Sequence, residues 1–262
     1  MRRSVRLYLK YAALGLRSSM EYKGAFVLTA LGRAVVAFSG VWAVYFLFSG
    51  FSGIGSYRFG DVLLCFGIIG VSFSLAESVS KGFCTFSGTI RRGEFDRILL
   101  RPWSPVGQVL GTGIDPGRIG ELIPAGIVLA WGMRESGVAW TGGRIAVLLL
   151  MLAGGTVLFM GLFMVGATIC FFSVEDTGCM NIFTYGAREH GKYPMDVYGK
   201  RIMEICTFLV PYTLVQYYPL QFLLDRTRSL WCAAAPLGSC IFLAACYGFW
   251  RFGMKHYKSC GS

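Results

Sequence analysis

Apolar stretches close to the length that crosses a bilayer recur along the whole chain. A helix needs about 20 predominantly apolar residues to cross the hydrocarbon core. On this basis we predict six spans, with approximate limits 24–48, 61–80, 119–133, 144–172, 201–224 and 230–250. The third is short and contains Pro124, and the fifth is interrupted by Pro211 and Pro219. The pattern predicts an all-α membrane protein with a single six-span transmembrane domain over residues 24–262.

The first 23 residues have a different, two-sided pattern. Arg2, Arg6 and Lys10 recur at four-residue spacing on one face, while Val5 and Leu9 begin an apolar series on another. An amphipathic helix with a basic polar face is suited to the headgroup layer of a membrane. We therefore predict an interfacial amphipathic helix over residues 1–23.

Composition supports the assignment to a membrane. Hydrophobic residues make up 55% of the 262 residues and charged residues only 15%, whereas soluble domains contain roughly 25% charged residues. A net charge of +11 would favour a nucleic-acid partner in a soluble protein. No basic patch interleaved with stacking aromatic residues lies outside the apolar spans, so we predict no nucleic-acid partner.

The distribution of basic residues predicts how the chain crosses the bilayer. With the N-terminus inside, 19 of the 25 Lys and Arg residues fall in inner segments and 5 in outer loops or span edges. Cytoplasmic loops are enriched in Lys and Arg. We expect both termini to be cytoplasmic, with membrane lipid around the spans.

Neither a metal site nor a nucleotide site is predicted. Most of the nine cysteines lie in apolar runs, and none forms a C-x-x-C pair, the spacing typical of zinc and redox sites. Gly186, Gly191 and Lys192 match part of a P-loop, but Tyr193 stands where the Mg²⁺-binding hydroxyl belongs. Pro194 also disfavours helical backbone at Tyr193, where the phosphate-binding helix would begin.

The predicted inner segment 81–118 is too long for a simple turn. Its centre alternates apolar residues, among them Ile90 and Phe95, with charged ones. We predict a short amphipathic element at the membrane surface, ended by Pro102 and Pro105. Its mixed charges suit the docking of a soluble partner; the alternative is a solvated loop held to anionic lipid.

Charges inside apolar runs need partners, because a charge at mid-bilayer costs a few kcal/mol or more. Arg33 lies about 13 Å into the first predicted span, at about 1.5 Å per residue. Glu77, Glu121 and Glu204 lie near the inner ends of other spans. We predict a structural pair between Arg33 and one of these carboxylates. The alternatives are an Arg33 that snorkels to the headgroups or one that contacts substrate.

Small residues are concentrated in the fourth predicted span, where they permit close helix approach. They are Ala153, Gly154, Gly155, Gly161, Gly166 and Ala167. They predict close packing either within this chain or against a second subunit. The breaks at Pro211 and Pro219 favour a fifth span that ends early and continues as a re-entrant or interfacial helix.

Four segments together resemble the ATP-binding-cassette (ABC) type-2 permease family of the exporter class. They are IRRGEFDRILLRPWSP at 90–105, YPMDVYG at 193–199, LVPYTLVQYYPLQFLL at 209–224 and the terminal FWRFGMKHYKSCGS. They occur in the order expected of that family.

This resemblance implies a permease subunit that binds no cofactor itself. ATP and Mg would be held by separate cytosolic ABC ATPase subunits, and a second permease chain, identical or related, would complete the export path. The resemblance also implies a location in the plasma (inner) membrane of a prokaryote. For the fold, it implies short re-entrant helices at the outer face. The ATPase-coupling residues would be Arg91, Arg92, Gly93, Glu94, Asp96, Arg97, Arg101 and Pro102.

Two other functions remain as alternatives. An intramembrane enzyme, such as a lipid-modifying transferase, would use Glu175, Asp176, Glu189 and His190 near the inner face. Against it, these residues lack the paired-histidine or D-x-x-D spacings of such sites. A passive channel or assembly scaffold would carry a repeated polar stripe along a span, and we find none.

Overall fold

A computed structural model of the chain describes residues 23–50, 56–112, 119–173 and 181–257. The α-helices are α1 (Lys23–Gly50), α2 (Phe59–Cys84), α3 (Phe86–Arg91), α4 (Glu94–Leu99), α5 (Pro105–Thr112), α6 (Ile119–Glu135), α7 (Gly142–Ile169), α8 (Ala187–Gly191), α9 (Lys200–Phe208), α10 (Tyr212–Val215), α11 (Tyr217–Leu223), α12 (Leu230–Ala234) and α13 (Gly238–His256). A π-helical turn (Ile182–Gly186) and two 3₁₀ turns (Met195–Tyr198 and Ala235–Leu237) connect them. Apart from Lys23, the predicted interfacial helix lies outside the described residues.

Within the described residues, four helical stretches are long and apolar enough to cross a membrane. They are Val27–Gly50, Phe59–Arg91, Gly142–Ile169 and Leu230–His256. They coincide with the first, second, fourth and sixth predicted spans, and the all-α membrane class is confirmed. Helix α6, at the third predicted span, has 17 residues and contains Pro124. The count of six spans stays a prediction.

Helix α2 is the centre of the bundle. Its residues are apolar on all sides, and nearly every side chain between Asp61 and Ala76 is buried; a helix with this pattern belongs in an interior. Helices α6 and α7 pack against α2, while α13 packs on α7 and α1 on α6.

The end at Tyr57, Ser136 and Asp225, where Arg144 donates to Asp225 over 2.6 Å, is called the predicted outer end. The opposite end, at Cys84 and Tyr257, is called the predicted inner end. These names follow the orientation expected from the basic residues.

Glycines let the central helices approach closely. A Cβ on Gly132 of α6 would lie 2.6 Å from the backbone nitrogen of Leu64 on α2. On α7, a Cβ on Gly155 would lie 2.6 Å from Ser72 Oγ, and one on Gly154 would lie 2.7 Å from Pro236 Cβ. Gly154 and Gly155 of the predicted small-residue span therefore serve packing within this chain.

We expect the substitution Gly132→Ala to destabilise the protein by about 1–3 kcal/mol, because the added methyl group meets backbone atoms that cannot move away. Gly126→Ala on the same helix is the matched control. A Cβ there meets nothing within 4 Å, so the better helix propensity of alanine should leave stability unchanged or raise it by up to about 1 kcal/mol. Thermal unfolding in detergent measures both variants. Equal effects would contradict the close packing of α2 and α6.

The segment after α7 differs from its prediction as an inner loop. From residue 181 to residue 198 it runs beside α2, in the opposite direction, from the predicted inner end toward the outer one. Its contacts, in chain order, join Tyr185 to Glu77, Arg188 to Phe73, Lys192 to Phe66 and Asp196 to Tyr57. These contacts place Arg188 and Lys192 within the bundle. The two residues lie in and just after the broken helix at 182–191, which packs along α2.

A buried glutamine joins this segment to the next one. Gln216, which is fully buried, donates from Nε2 to the carbonyl oxygens of Gly191 at 3.0 Å and Tyr193 at 2.8 Å. These carbonyls lie where the helix has broken and lacks its own donors. The side chain therefore replaces backbone hydrogen bonds inside the bundle.

The fifth predicted span is divided into α9, α10 and α11. The expected break at Pro211 is present, between α9 and α10. The break expected at Pro219 is also present and comes just before this residue, which lies in the first turn of α11, where proline is tolerated because the amide there needs no helical acceptor. The second break falls at Gln216, whose side chain makes the contacts just described.

Candidate coupling surface and intramembrane charge cluster

Helices α3 and α4 form a hairpin at the predicted inner end, with one side packed on the bundle. Phe86 and Phe95 are fully buried. The Phe95 ring centroid lies 5.2 Å from that of Phe171, which follows α7, and 5.0 Å from that of Tyr257, which follows α13. Phe86 lies 5.0 Å from Trp250 of α13. The hairpin is therefore fixed to the ends of two long helices.

Local backbone chemistry gives the hairpin its shape. Gly93 joins α3 to α4 with a φ of +64°, a conformation that is strained for residues with a Cβ. After α4, the Gln108 side chain donates to the carbonyl oxygens of Ile98 at 3.0 Å and Trp103 at 3.1 Å. The amphipathic element ends before Pro102, as predicted, but Pro105 begins α5 and does not end a helix.

The opposite side of the hairpin is exposed and charged. We call it the coupling surface; it consists of Arg91, Arg92, Glu94, Arg97, Leu99, Leu100 and Arg101. Arg92 Nε donates to Glu94 Oε1 over 2.8 Å. This hydrogen bond lowers the pKa of the Glu94 carboxyl and raises the pKa of the Arg92 guanidinium, so both stay charged near neutral pH.

The predicted coupling residues are largely brought together here. Arg92, Glu94, Arg97 and Arg101 line one shallow cavity of about 300 Å³. Pro102 is exposed beyond it, whereas Gly93 and Asp96 are half-buried. The sequence interpretation missed Leu100, which is 87% exposed. The sequence contains a signal for the exposure of Leu100. In the Ile98-Leu99-Leu100 run, Ile98 completes the buried face of the helix, and the next two positions point away from it.

A second group of charges lies among the long helices. Arg33 Nε of α1 is 3.6 Å from Glu121 Oε1 of α6, and Arg188 Nη1 of α8 is 3.5 Å from Glu121 Oε2. Glu121 thus bridges two arginines. Of the three carboxylates predicted as partners of Arg33, the structure places Glu121 beside it. The sequence did not predict Arg188 as a second partner, because its segment was assigned to a loop.

The other predicted intramembrane carboxylates lie elsewhere. Glu77 is fully buried on α2 and accepts a hydrogen bond from the Tyr185 hydroxyl at 2.7 Å. Glu204 is exposed on α9.

The residues of the enzyme alternative are not gathered into one described site. Glu189 accepts a hydrogen bond from Lys192, and the His190 ring lies 5.4 Å from that of Tyr198. Glu175 and Asp176 fall outside the described residues. Within the described ranges, no group of three His, Cys, Asp or Glu side chains has a metal-binding arrangement.

These features define a class of protein: a multi-pass helical membrane protein with an amphipathic hairpin at one end of its bundle. The particular family follows from comparison. Residues 35–261 match the family model described as ABC-2 family transporter protein, and the chain belongs to this family. It is the permease subunit of an ABC transporter. Membership of this family implies that the chain lies in a membrane and associates with ABC ATPase subunits. No match was found among curated proteins or solved structures.

Proposed function

We propose that this permease belongs to an exporter and is driven through the coupling surface by separate cytosolic ATPase subunits, which hold ATP and Mg. A second permease chain would complete the translocation path, in the plasma membrane of a prokaryote with both termini in the cytoplasm. The observation that carries the proposal is the α3–α4 hairpin, which is anchored by buried aromatic rings on one side and exposes charged groups on the other.

The anchoring explains how motion would pass from the ATPase to the membrane. Phe95 contacts Phe171 and Tyr257, so the hairpin is packed against residues that directly follow α7 and α13. Close-packed aromatic clusters are stiff and transmit displacement. Movement of the hairpin would therefore shift the ends of both helices together, and the ATPase would bias the bundle between two arrangements.

The exposed charges explain how an ATPase would be held. Arg91, Arg92, Arg97 and Arg101 offer donors for charge-assisted hydrogen bonds to carboxylates, which are stronger than neutral ones. Leu100 adds an exposed apolar side chain among them. An ATPase groove with acidic residues around an apolar floor would be complementary to this surface.

Room for a second permease exists along the sides of the bundle. Helix α1 exposes a row of large apolar side chains that includes Trp42 and Phe46, at 59% and 64% exposure. On α9 and just beyond it, Ile205, Phe208 and Leu209 are also exposed. Apolar faces of this kind contact lipid as readily as another helix, so they leave space for a second permease without requiring one.

Charge reversal of the coupling surface tests the proposal. We expect Arg91→Glu/Arg92→Glu to lower ATPase co-purification and ATP-driven transport by about tenfold or more, since repulsion would replace attraction at the interface. The matched control is Arg134→Glu/Arg228→Glu, which changes the net charge equally at exposed positions far from the hairpin. Tagged protein is purified from membranes and reconstituted in liposomes with and without the ATPase.

Two results would overturn the proposal. One is a wild-type chain that brings down no ATPase. The other is ATP-driven transport by the permease alone in liposomes. Intact transport in the Arg91→Glu/Arg92→Glu variant would remove the coupling role of this surface.

A further inference from the structure

A cavity of about 540 Å³ lies between α1, α2, α6 and the Arg188–Lys192 stretch. This volume is within the range of small-molecule sites. On α2 it reaches Gly70, the twelfth of 26 helical residues, so it lies near the middle of the most deeply buried helix. Val36 of α1 lines it and is 71% exposed, so the cavity opens to the surroundings of the bundle beside α1.

The lining of this cavity is both charged and apolar. Three cations, on Arg33, Arg188 and Lys192, face two carboxylates, on Glu121 and Glu189. The charged lining thus carries one excess positive charge. The remaining wall is largely apolar and includes Phe66, Ala125 and Val128. A charged floor beside an apolar wall matches a molecule with one anionic end and one apolar end.

Arg188 has capacity for a further acceptor. Among the described residues, Arg188 Nε is buried and has no hydrogen-bond partner, and Arg188 Nη1 reaches Glu121 only at 3.5 Å. Charge-assisted hydrogen bonds are normally about 2.7–2.9 Å long. Lys192 Nζ lies 4.6 Å from the Phe66 ring centroid, between the charged and apolar parts of the lining. The long contact with Glu121 leaves the Arg188 guanidinium able to donate to an anionic oxygen in the cavity.

We propose that this cavity binds the anionic head group of a membrane amphiphile, held by Arg188 and Lys192, with its apolar chain along Phe66 and Val36. A phosphate or carboxylate head would balance the excess positive charge and accept hydrogen bonds from the Arg188 guanidinium and the Lys192 ammonium. The molecule is either a resident anionic lipid or the transported cargo. Binding itself does not depend on the exporter assignment; only the cargo assignment rests on the proposed function.

The test uses the full chain without ATPase, in detergent, titrated with dioleoyl phosphatidylglycerol or dioleoyl phosphatidylcholine and followed by native mass spectrometry. We expect preferential binding of the phosphatidylglycerol. Arg188→Gln and Lys192→Gln should each weaken it about tenfold, as expected for one lost charge-assisted contact. Arg228→Gln, which removes one exposed charge at the predicted outer end, should bind like wild type.

A structural role is separated from a binding role by thermal unfolding without added lipid. If Arg188→Gln fails to fold, Lys192→Gln decides the result. The Lys192 substitution removes an ion-pair partner only from Glu189, whose side chain is 62% exposed, so it should leave the fold intact. Equal affinities for the two lipids in the wild type would overturn the proposal. So would wild-type affinity for phosphatidylglycerol in the folded variants.

The source of the head group is then assigned in liposomes that contain the permease, its ATPase and fluorescent phosphatidylglycerol. ATP-dependent movement of the labelled lipid between leaflets identifies anionic amphiphiles as cargo. Binding without such movement identifies a resident lipid; the site stands in either case. A chain that binds phosphatidylglycerol but assembles with no ATPase refutes the exporter assignment and leaves the site intact.

Discussion

Replacing Phe95 by alanine is expected to lower the free energy of unfolding by about 3–5 kcal/mol, the usual loss when a fully buried phenylalanine is truncated. Phe95 is fully buried and contacts Phe86, Phe171 and Tyr257. Its loss should free the α3–α4 hairpin from the bundle and abolish ATP-driven transport. Chemical unfolding in detergent measures stability, and limited proteolysis at residues 85–104 measures release of the hairpin.

The variant Leu100→Ala is the control for this prediction. Leu100 is 87% exposed, so truncation should change stability by no more than about 0.5 kcal/mol. ATPase binding should nevertheless weaken, because Leu100 belongs to the coupling surface. If Phe95→Ala left stability and proteolysis unchanged, the hairpin would not be anchored as described. If Leu100→Ala left ATPase binding unchanged, Leu100 would lie outside the interface.

Replacing Glu121 by glutamine is expected to destabilise the protein by about 2–4 kcal/mol, since it removes a carboxylate charge that lies between two partly buried arginines. The glutamine keeps the shape of the side chain and removes its charge. Arg33 and Arg188, whose side chains are only 25% and 20% exposed, would both lose their bridging carboxylate. Thermal unfolding of the purified variant measures the loss, and Glu204→Gln on the exposed face of α9 is the matched control.

The bridging geometry predicts an order of effects. Arg33→Leu should cost less stability than Glu121→Gln, because Glu121 then keeps Arg188. The double variant Arg33→Leu/Glu121→Gln should cost less than the sum of the single variants, since the two residues share one interaction. Unchanged stability of Arg33→Leu with loss of transport would instead contradict the structural role of Arg33.

The coupling hairpin shows how much of a candidate site could be predicted from sequence. Apolar residues at Ile90 and Phe95 among charged neighbours predicted an amphipathic element, and its position between two spans placed it at one end of the bundle. Its partners were not predictable. Phe171 and Trp250 lie far along the chain from Phe95, and only packing brings their rings together.

The charge cluster shows where local patterns are insufficient. Arg33 and Glu121 were recognised because charges are rare in apolar runs. Arg188 and Lys192 lie in a polar stretch with two glycines and Pro194 nearby, which has the local character of a loop. Their place beside α2 depends on long-range contacts, such as those of Gln216 with the Gly191 and Tyr193 carbonyls.

Hydropathy along the chain determined that this protein crosses a membrane as helices, because an apolar stretch of bilayer length has no other way to satisfy its backbone groups. The ordered set of motifs determined its family. Only the tertiary structure decided that residues 181–198 lie within the bundle, that Glu121 bridges two arginines and that a charged cavity opens beside α1. These features arise from contacts between residues distant in sequence, where packing and hydrogen bonding outweigh local preference.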